Sequence, residues 1–541
     1  MASKFKLPVI ILWIFTCLYI TPLKAQNHLE RFNTVDVQHY KFDIKLSDAT
    51  DEIEAKADVT IEFKKAVSSF NLDIIKKQAD GKGMVINSVT ENGIAVNFKH
   101  EGQALTININ PTKTGEKRTY TITYKGVPAD GLYISKNKYN ERTFFADNYP
   151  DRGKNWLPLV DHPSDKATVE WIVTAPNYYQ TIGNGLLLEQ SYVNDDMVMY
   201  HYKMDTPIST KVMVFGTARF AVEHSGELKN IPISAWIYPQ DKEMGFSDFS
   251  KTASILDYFI THFGPYPFEK LANVQSKTRF GGMENAGNVF YGEKLINGTG
   301  SIEGTLAHEI AHQWFGNSAT EGSWHHLWLS ESFATYCTDL YWEHQYGRDP
   351  FVERMKSERQ KYTDYVPTNM VPIINPVKDD FLQLLSPLTY QKGAWVLHML
   401  RHEIGDDLFW KGVRSYYENY KYSNALSEDL QGVMEEISGK DLSPFFKQWL
   451  YQAGHPQLDI NWSNEKEYME IEIRQTQKAN LFTFPVDVKM TFEDGKSRTE
   501  TIDISELRTN ARFMTTKKVV QVDIDPDTWL LHEVTSIKQN D

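Results

Sequence analysis

The chain has 541 residues, 41% apolar and 24% charged, a globular composition long enough for about three domains. Acidic residues outnumber basic ones 71 to 57, giving a net charge of −14. That balance argues against nucleic acid and anionic membranes as partners and is compatible with cationic ones.

In chain order, residues 1–25 read as a secretory signal peptide. Lys4 and Lys6 precede the mostly apolar run from Val9 to Ile20, and Ala25 puts a small residue before Gln26. The run is short for a membrane span, so the expectation is export, periplasmic or secreted, with no integral membrane segment after cleavage. Cleavage also removes Cys17. Cys337 is then the single cysteine, read as buried packing, and an intrachain disulfide is impossible.

Within a first domain expected over 26–225, residues 37–225 alternate as strands do, with Tyr40, Phe42, Ile44 and Leu46, then Val59, Ile61 and Phe63, then Leu105, Ile107 and Ile109. This predicts an N-terminal antiparallel β domain. A Gly/Pro/Lys-containing passage at about 226–245 marks the junction. Within a second domain expected over 226–453, the pattern from 247 to 450 turns mostly helical, with Ile255, Tyr258, Phe259 and His262 on one helix face. Gly454-His455-Pro456 ends the helices. Alternation then returns at Leu458 and Ile460, at Met469, Ile471 and Ile473, and at Val486, Val488 and Met490, predicting a small β-sandwich over 454–541. The fold class is multidomain α+β.

The chemistry concentrates in the helical region. His308-Glu309-Ile310-Ala311-His312 puts two histidines four apart, on one face of a helix. Their imidazoles can hold one Zn²⁺, with Glu309 beside the water that the metal activates. Ser301 is the expected N-cap, and Gly316 sits where the helix should stop. A catalytic zinc takes three protein ligands. Glu331, in Trp328-Leu329-Ser330-Glu331-Ser332-Phe333-Ala334, offers the third, eighteen residues beyond His312. Upstream stands Gly281-Gly282-Met283-Glu284-Asn285, and downstream Tyr390-Gln391-Lys392-Gly393. A carboxylate at a fixed distance from the metal can recognise a free α-ammonium and reject a continuing chain. A phenol can donate to a developing oxyanion while staying neutral.

These residues resemble the M1 family of zinc aminopeptidases, within the gluzincins, over nearly the whole chain beyond the signal. The flanks HEIAHQWFG and WLSESFA, the GGMEN stretch and the Tyr-x-Lys-Gly stretch carry the likeness. So do Pro158 to Thr168 and Phe263-Gly264-Pro265-Tyr266-Pro267-Phe268. The family's usual Trp-Leu-Asn-Glu-Gly-Phe-Ala has Ser330 and Ser332 in place of its Asn and Gly here. The resemblance implies one zinc per chain on His308, His312 and Glu331, Glu309 as general base and Tyr390 as oxyanion donor. It implies substrate binding by Gly281, Gly282, Met283, Glu284 and Asn285, a thermolysin-like catalytic domain, and peptides with a free N-terminus as substrates. Larger members continue into a helical solenoid, so a short form with a more open mouth is expected. Many members also bind the amine with a Gln about ten residues before Leu157-Pro158. Counting back lands on Asp147, beside Asn148, as its candidate replacement.

Two other enzymes stay open. A thermolysin-type zinc endopeptidase shares the zinc site but has no use for Glu284. A lipid epoxide hydrolase-like enzyme shares GGMEN and Tyr-x-Lys-Gly, but that branch has an Asp where this chain has Leu382. His325 and His326 are read as structural.

Overall fold

The computed structural model describes residues 34–376, 380–478 and 480–540. The expected signal peptide, with Cys17, lies outside these residues. Among them, no helix is long and apolar enough to cross a membrane.

The N-terminal domain is built on Val35–Lys45, which pairs antiparallel with Ile53–Phe63 and parallel with Lys166–Pro176. Five more strands extend this core into an eight-stranded sheet, from Leu186–Tyr192 at one edge to Ile94–Ala95 at the other. Period-2 alternation buries Phe42, Ile44, Ile61 and Phe63 on one face. A four-stranded and a three-stranded sheet complete the domain. In its core Trp156 stacks on Trp171 at 6.0 Å, and Phe215 meets both edge-on. Between Arg142–Ala146 and Lys166–Pro176 the chain runs through a long connection. That connection reaches the second domain.

The second domain opens with a five-stranded mixed sheet in the order Ala221–Leu228, Ile231–Ile237, Leu271–Ser276, Asn288–Gly292, Gly282–Met283. The junction expected at 225/226 therefore falls inside a strand. Ala221–Leu228 belongs to this second sheet, through its hairpin with Ile231–Ile237. Alternation reveals a strand but not which sheet it joins.

Three helices matter for the site: α1 (Glu303–Ala311), α2 (Trp328–Tyr346) and α3 (Gly393–Ile404). Ser301 does not cap α1, which starts at Glu303; its hydroxyl is engaged by Asn297 and Thr299 instead. Helix α2 is buried continuously from Trp328 to Tyr341. Several of its buried polar groups find partners: Thr335 and Thr338 donate to carbonyls four residues back, both at 2.8 Å, and Asp339 Oδ1 pairs with Arg354 at 2.6 Å. Cys337 is buried on this helix.

The C-terminal region holds a four-stranded and a three-stranded sheet, each burying the apolar alternates read from the sequence, such as Leu458, Ile460, Ile471, Val486 and Val488. It meets α3 at His398, whose Nε2 bonds the Thr528 carbonyl at 2.9 Å and whose ring stacks on Trp529.

Candidate active site

Helix α1 ends at Ala311, so His308 lies on its last turn and His312 caps it. Glu331 lies in the first turn of α2. The two helix ends bring three donor atoms together. His308 Nε2 and His312 Nε2 are 3.1 Å apart, and Glu331 Oε2 is 3.5 and 3.3 Å from them. Ligands about 2.0–2.1 Å from a tetrahedral zinc stand roughly 3.3 Å from one another, so this triangle fits one face of such a site. His312 is oriented from behind: its Nδ1 lies 3.1 Å from the Phe315 carbonyl and 3.2 Å from Ser330 Oγ. Ser330, one of the two departures from the family pattern, thus supports a ligand directly.

Charge gives the same answer. Glu284, Glu309 and Glu331 converge on the two imidazoles in a buried space. Burial raises the proton affinity of Glu309 well above the carboxylate range, and Glu284 and Glu331 add to this against His312. Burial likewise lifts Glu284. Burial alone would lower His312, but Glu284, Glu331 and Glu309 outweigh it and carry the imidazole to about 9. The other two members shift the opposite way: against its burial, His312 and His308 hold Glu331 well below the carboxylate range, and burial lowers His308. Three carboxylates around two imidazoles leave the site short of positive charge, which a divalent cation would supply.

Around this cluster the sheet and helices place the other predicted residues. Gly282 and Met283 form the edge strand, opposite Tyr291 and Phe290. Gly282 passes so close to the Glu309 carboxylate that an added Cβ would lie 2.1 Å from Oε1. Glu284, Glu309 and His312 offer polar atoms within 4.8 Å of one another. Glu284 Oε1 is buried without a hydrogen-bond partner. Tyr390 faces the metal ligands across His308, ring centroids 6.0 Å apart and nearly parallel. Burial and the charges of Glu331 and Glu284 push its phenol far above its ordinary value, so it stays protonated and able to donate. Ser332, the second departure, donates its hydroxyl to the carbonyl of Thr389, next to Tyr390. Gly393 makes this possible, since a Cβ there would overlap Ser332 Oγ.

Asp147 needs correcting. It is buried, paired with Arg152 at 2.6 Å, and accepts from Thr278 Oγ1 and the Arg279 amide. A carboxylate already neutralised by a guanidinium is not free for a substrate amine. Asn148 is equally committed, to Trp156 and to the carbonyls of Thr210 and Met213. His326 bonds Ser427 Oγ, a structural contact.

Three site residues escaped the sequence reading. Gln313 Nε2 and Asn317 Nδ2 both donate to the Glu284 carbonyl, at 2.8 and 2.6 Å. Tyr149, from the N-terminal domain, donates its hydroxyl to Glu331 Oε1 at 3.2 Å. The first two had a signal: they directly follow the metal helix.

Three candidate metal ligands, with the Glu309 carboxylate on one side and the Tyr390 phenol on the other, are thus what the fold brings together. Comparison with known families agrees. The model described as peptidase family M1 domain matches residues 248–449, and that of the peptidase M1 N-terminal domain matches 36–212. The chain belongs to peptidase family M1. Among its relatives, probable aminopeptidase 1 of Sulfurisphaera tokodaii is 26% identical over 500 residues, 88% of this chain and 60% of the relative. Leucyl aminopeptidase of Saccharolobus solfataricus is 26% identical, over 81% of this chain and 56% of the relative. Aminopeptidase 2, mitochondrial, of Saccharomyces cerevisiae is 29% identical, over 68% and 40%. The chain therefore spans about half the length of these relatives.

Proposed function

We propose that the protein is an exported zinc aminopeptidase that removes single residues from the free N-terminus of peptides, with a thermolysin-like catalytic domain. The observation that carries this is Glu284: a buried carboxylate with one oxygen unpartnered, fixed beside His312 and Glu309. Such a group calls for a cation, and a peptide α-ammonium is the cation an exopeptidase must recognise.

His308, His312 and Glu331 would hold the zinc, which when bound supplies Lewis acidity that acidifies water and polarises the scissile carbonyl. Glu309, with its raised proton affinity, takes the proton from the attacking water and returns it to the leaving amine. Tyr390 donates to the carbonyl oxygen as negative charge develops there. Glu284 binds the α-ammonium and sets the distance from the N-terminus to the cut.

The test is mass spectrometry of a short peptide digest, with free and acetylated N-termini, before and after chelation. Stepwise N-terminal loss that stops on chelation supports the reading. Internal cuts in the acetylated peptide at a comparable rate would assign an endopeptidase.

A further inference from the structure

The two oxygens of Glu331 have different neighbours. Oε2 points at the histidines, 3.3 and 3.5 Å from their Nε2 atoms. Oε1 accepts the hydroxyl of Tyr149 at 3.2 Å. Tyr149 stands in the connection between the N-terminal sheets, far from α2 in sequence, and is 2% exposed.

Its ring cannot swing away. Phe280 and Trp324 meet it edge-on from 5.8 and 5.6 Å, at 89° and 90°. Its carbonyl accepts from Arg152 Nε at 2.6 Å, which anchors the backbone. The Lys211 ammonium sits over the ring, 5.4 Å from its centroid, and adds a cation–π contact that holds it. The neighbours Asp147 and Asn148 are turned into the protein by the partners described above. Tyr149 is thus the residue of this stretch whose side chain reaches a metal ligand.

A carboxylate can hold a metal through one oxygen or chelate it through both. With three ligands and a water, the one-oxygen form keeps a zinc four-coordinate, whereas chelation through both oxygens makes it five-coordinate. A phenol fixed on the second oxygen occupies that oxygen and sets the rotation of the carboxylate. We propose that Tyr149 is a positioning residue, supplied by the N-terminal domain, that holds Glu331 as a one-oxygen metal ligand. This rests on the zinc reading above, but not on the identity of the substrate.

Tyr149→Phe removes only the hydroxyl and keeps the ring between Phe280 and Trp324. Zinc affinity is measured by chelator competition on metal-free protein, so no turnover is needed. The dissociation constant should rise roughly 10- to 100-fold, the usual cost of losing an outer partner of a ligand. The cobalt(II)-loaded variant should show weaker visible absorption than the parent, because chelation through both oxygens raises the coordination number. The melting temperature of the metal-free protein should be unchanged. Affinity within about twofold of the parent overturns the proposal. So does weakened affinity with an unchanged cobalt spectrum, which would remove the one-oxygen claim. A matching fall in metal-free stability also overturns it, since Tyr149 would then be packing. If neither parent nor variant binds zinc, it is the zinc reading that fails.

Discussion

Gln313 and Glu284 are joined through the Glu284 backbone carbonyl rather than through its carboxylate. Gln313 Nε2 donates to the Glu284 carbonyl at 2.8 Å, while its Oε1 accepts from the Gly287 amide at 2.9 Å. One amide side chain, next to a metal ligand, thus clasps both ends of the turn that presents Glu284. The distance from His312 to the Glu284 carboxylate is set by this clasp, with Asn317 reinforcing it.

Gln313→Leu should therefore loosen Glu284 without disturbing the donors. We expect kcat/KM on free-amine substrates to fall by roughly 1–3 kcal/mol, the cost of leaving buried partners unsatisfied. The preference for free over acetylated N-termini should narrow, and zinc content should hold. An unchanged preference in paired kinetic assays would reject the clasp.

Gly282→Ala places a methyl group 2.1 Å from Glu309 Oε1. The strand cannot retreat, because Gly282 and Met283 are paired with Tyr291 and Phe290. The carboxylate must swing aside instead. Turnover should drop on the order of 10²–10⁴, the range for losing a positioned acid–base group, with zinc retained by elemental analysis. Normal kcat would mean that Glu309 works from another position.

Two substitutions separate the base from the oxyanion donor. Glu309→Gln keeps the shape and the metal donors but cannot take a proton, so kcat should fall on the order of 10²–10⁴. Tyr390→Phe should cost on the order of 10²–10³ in kcat with little change in KM. A loss confined to KM in either variant would turn that residue into a binding group.

His398 makes acid stability measurable. It is fully buried; Nε2 donates to the Thr528 carbonyl, which leaves Nδ1 to accept from Tyr336. Burial depresses its pKa from 6.5 to about 3. The folded state thus holds it neutral, so its contribution is complete above pH 6.5 and is lost as pH falls toward 3. The loss amounts to roughly 4–5 kcal/mol over that window, from 1.36 kcal/mol per unit. Urea unfolding followed by circular dichroism should show stability falling from pH 6.5 downward. His398→Asn should flatten that slope relative to the parent; parallel slopes would clear His398 of the effect.

What the sequence disclosed was local. Two histidines one turn apart, a carboxylate eighteen residues on and a Gly-Gly-Met-Glu-Asn stretch each carry their chemistry in a short window, and the fold brings them together. What it hid was pairing across the chain. Tyr149 and Glu331 are 182 positions apart, and no periodicity connects them. Counting back for an amide or carboxylate led to Asp147, because a guanidinium five residues further on is invisible as its partner until the connection is folded. The domain junction slipped for a similar reason: a hairpin alternates in the same way whichever sheet it completes.

The ammonium of Lys166 rests on the carbonyls of Asn317 and Ser318, at 3.0 and 2.6 Å, and Lys211 pairs with Glu321 in the same interior. Both lysines come from the N-terminal domain, and both hold the stretch that links α1 to α2, the helices of the candidate metal ligands. A chimera that joins one relative's β domain to another's helical domain at residue 212 would transplant part of the metal's surroundings along with it. Such grafts should succeed only when Tyr149, Lys166 and Lys211 travel with acceptors that match them, so the interchangeable unit in this architecture is the pair of domains.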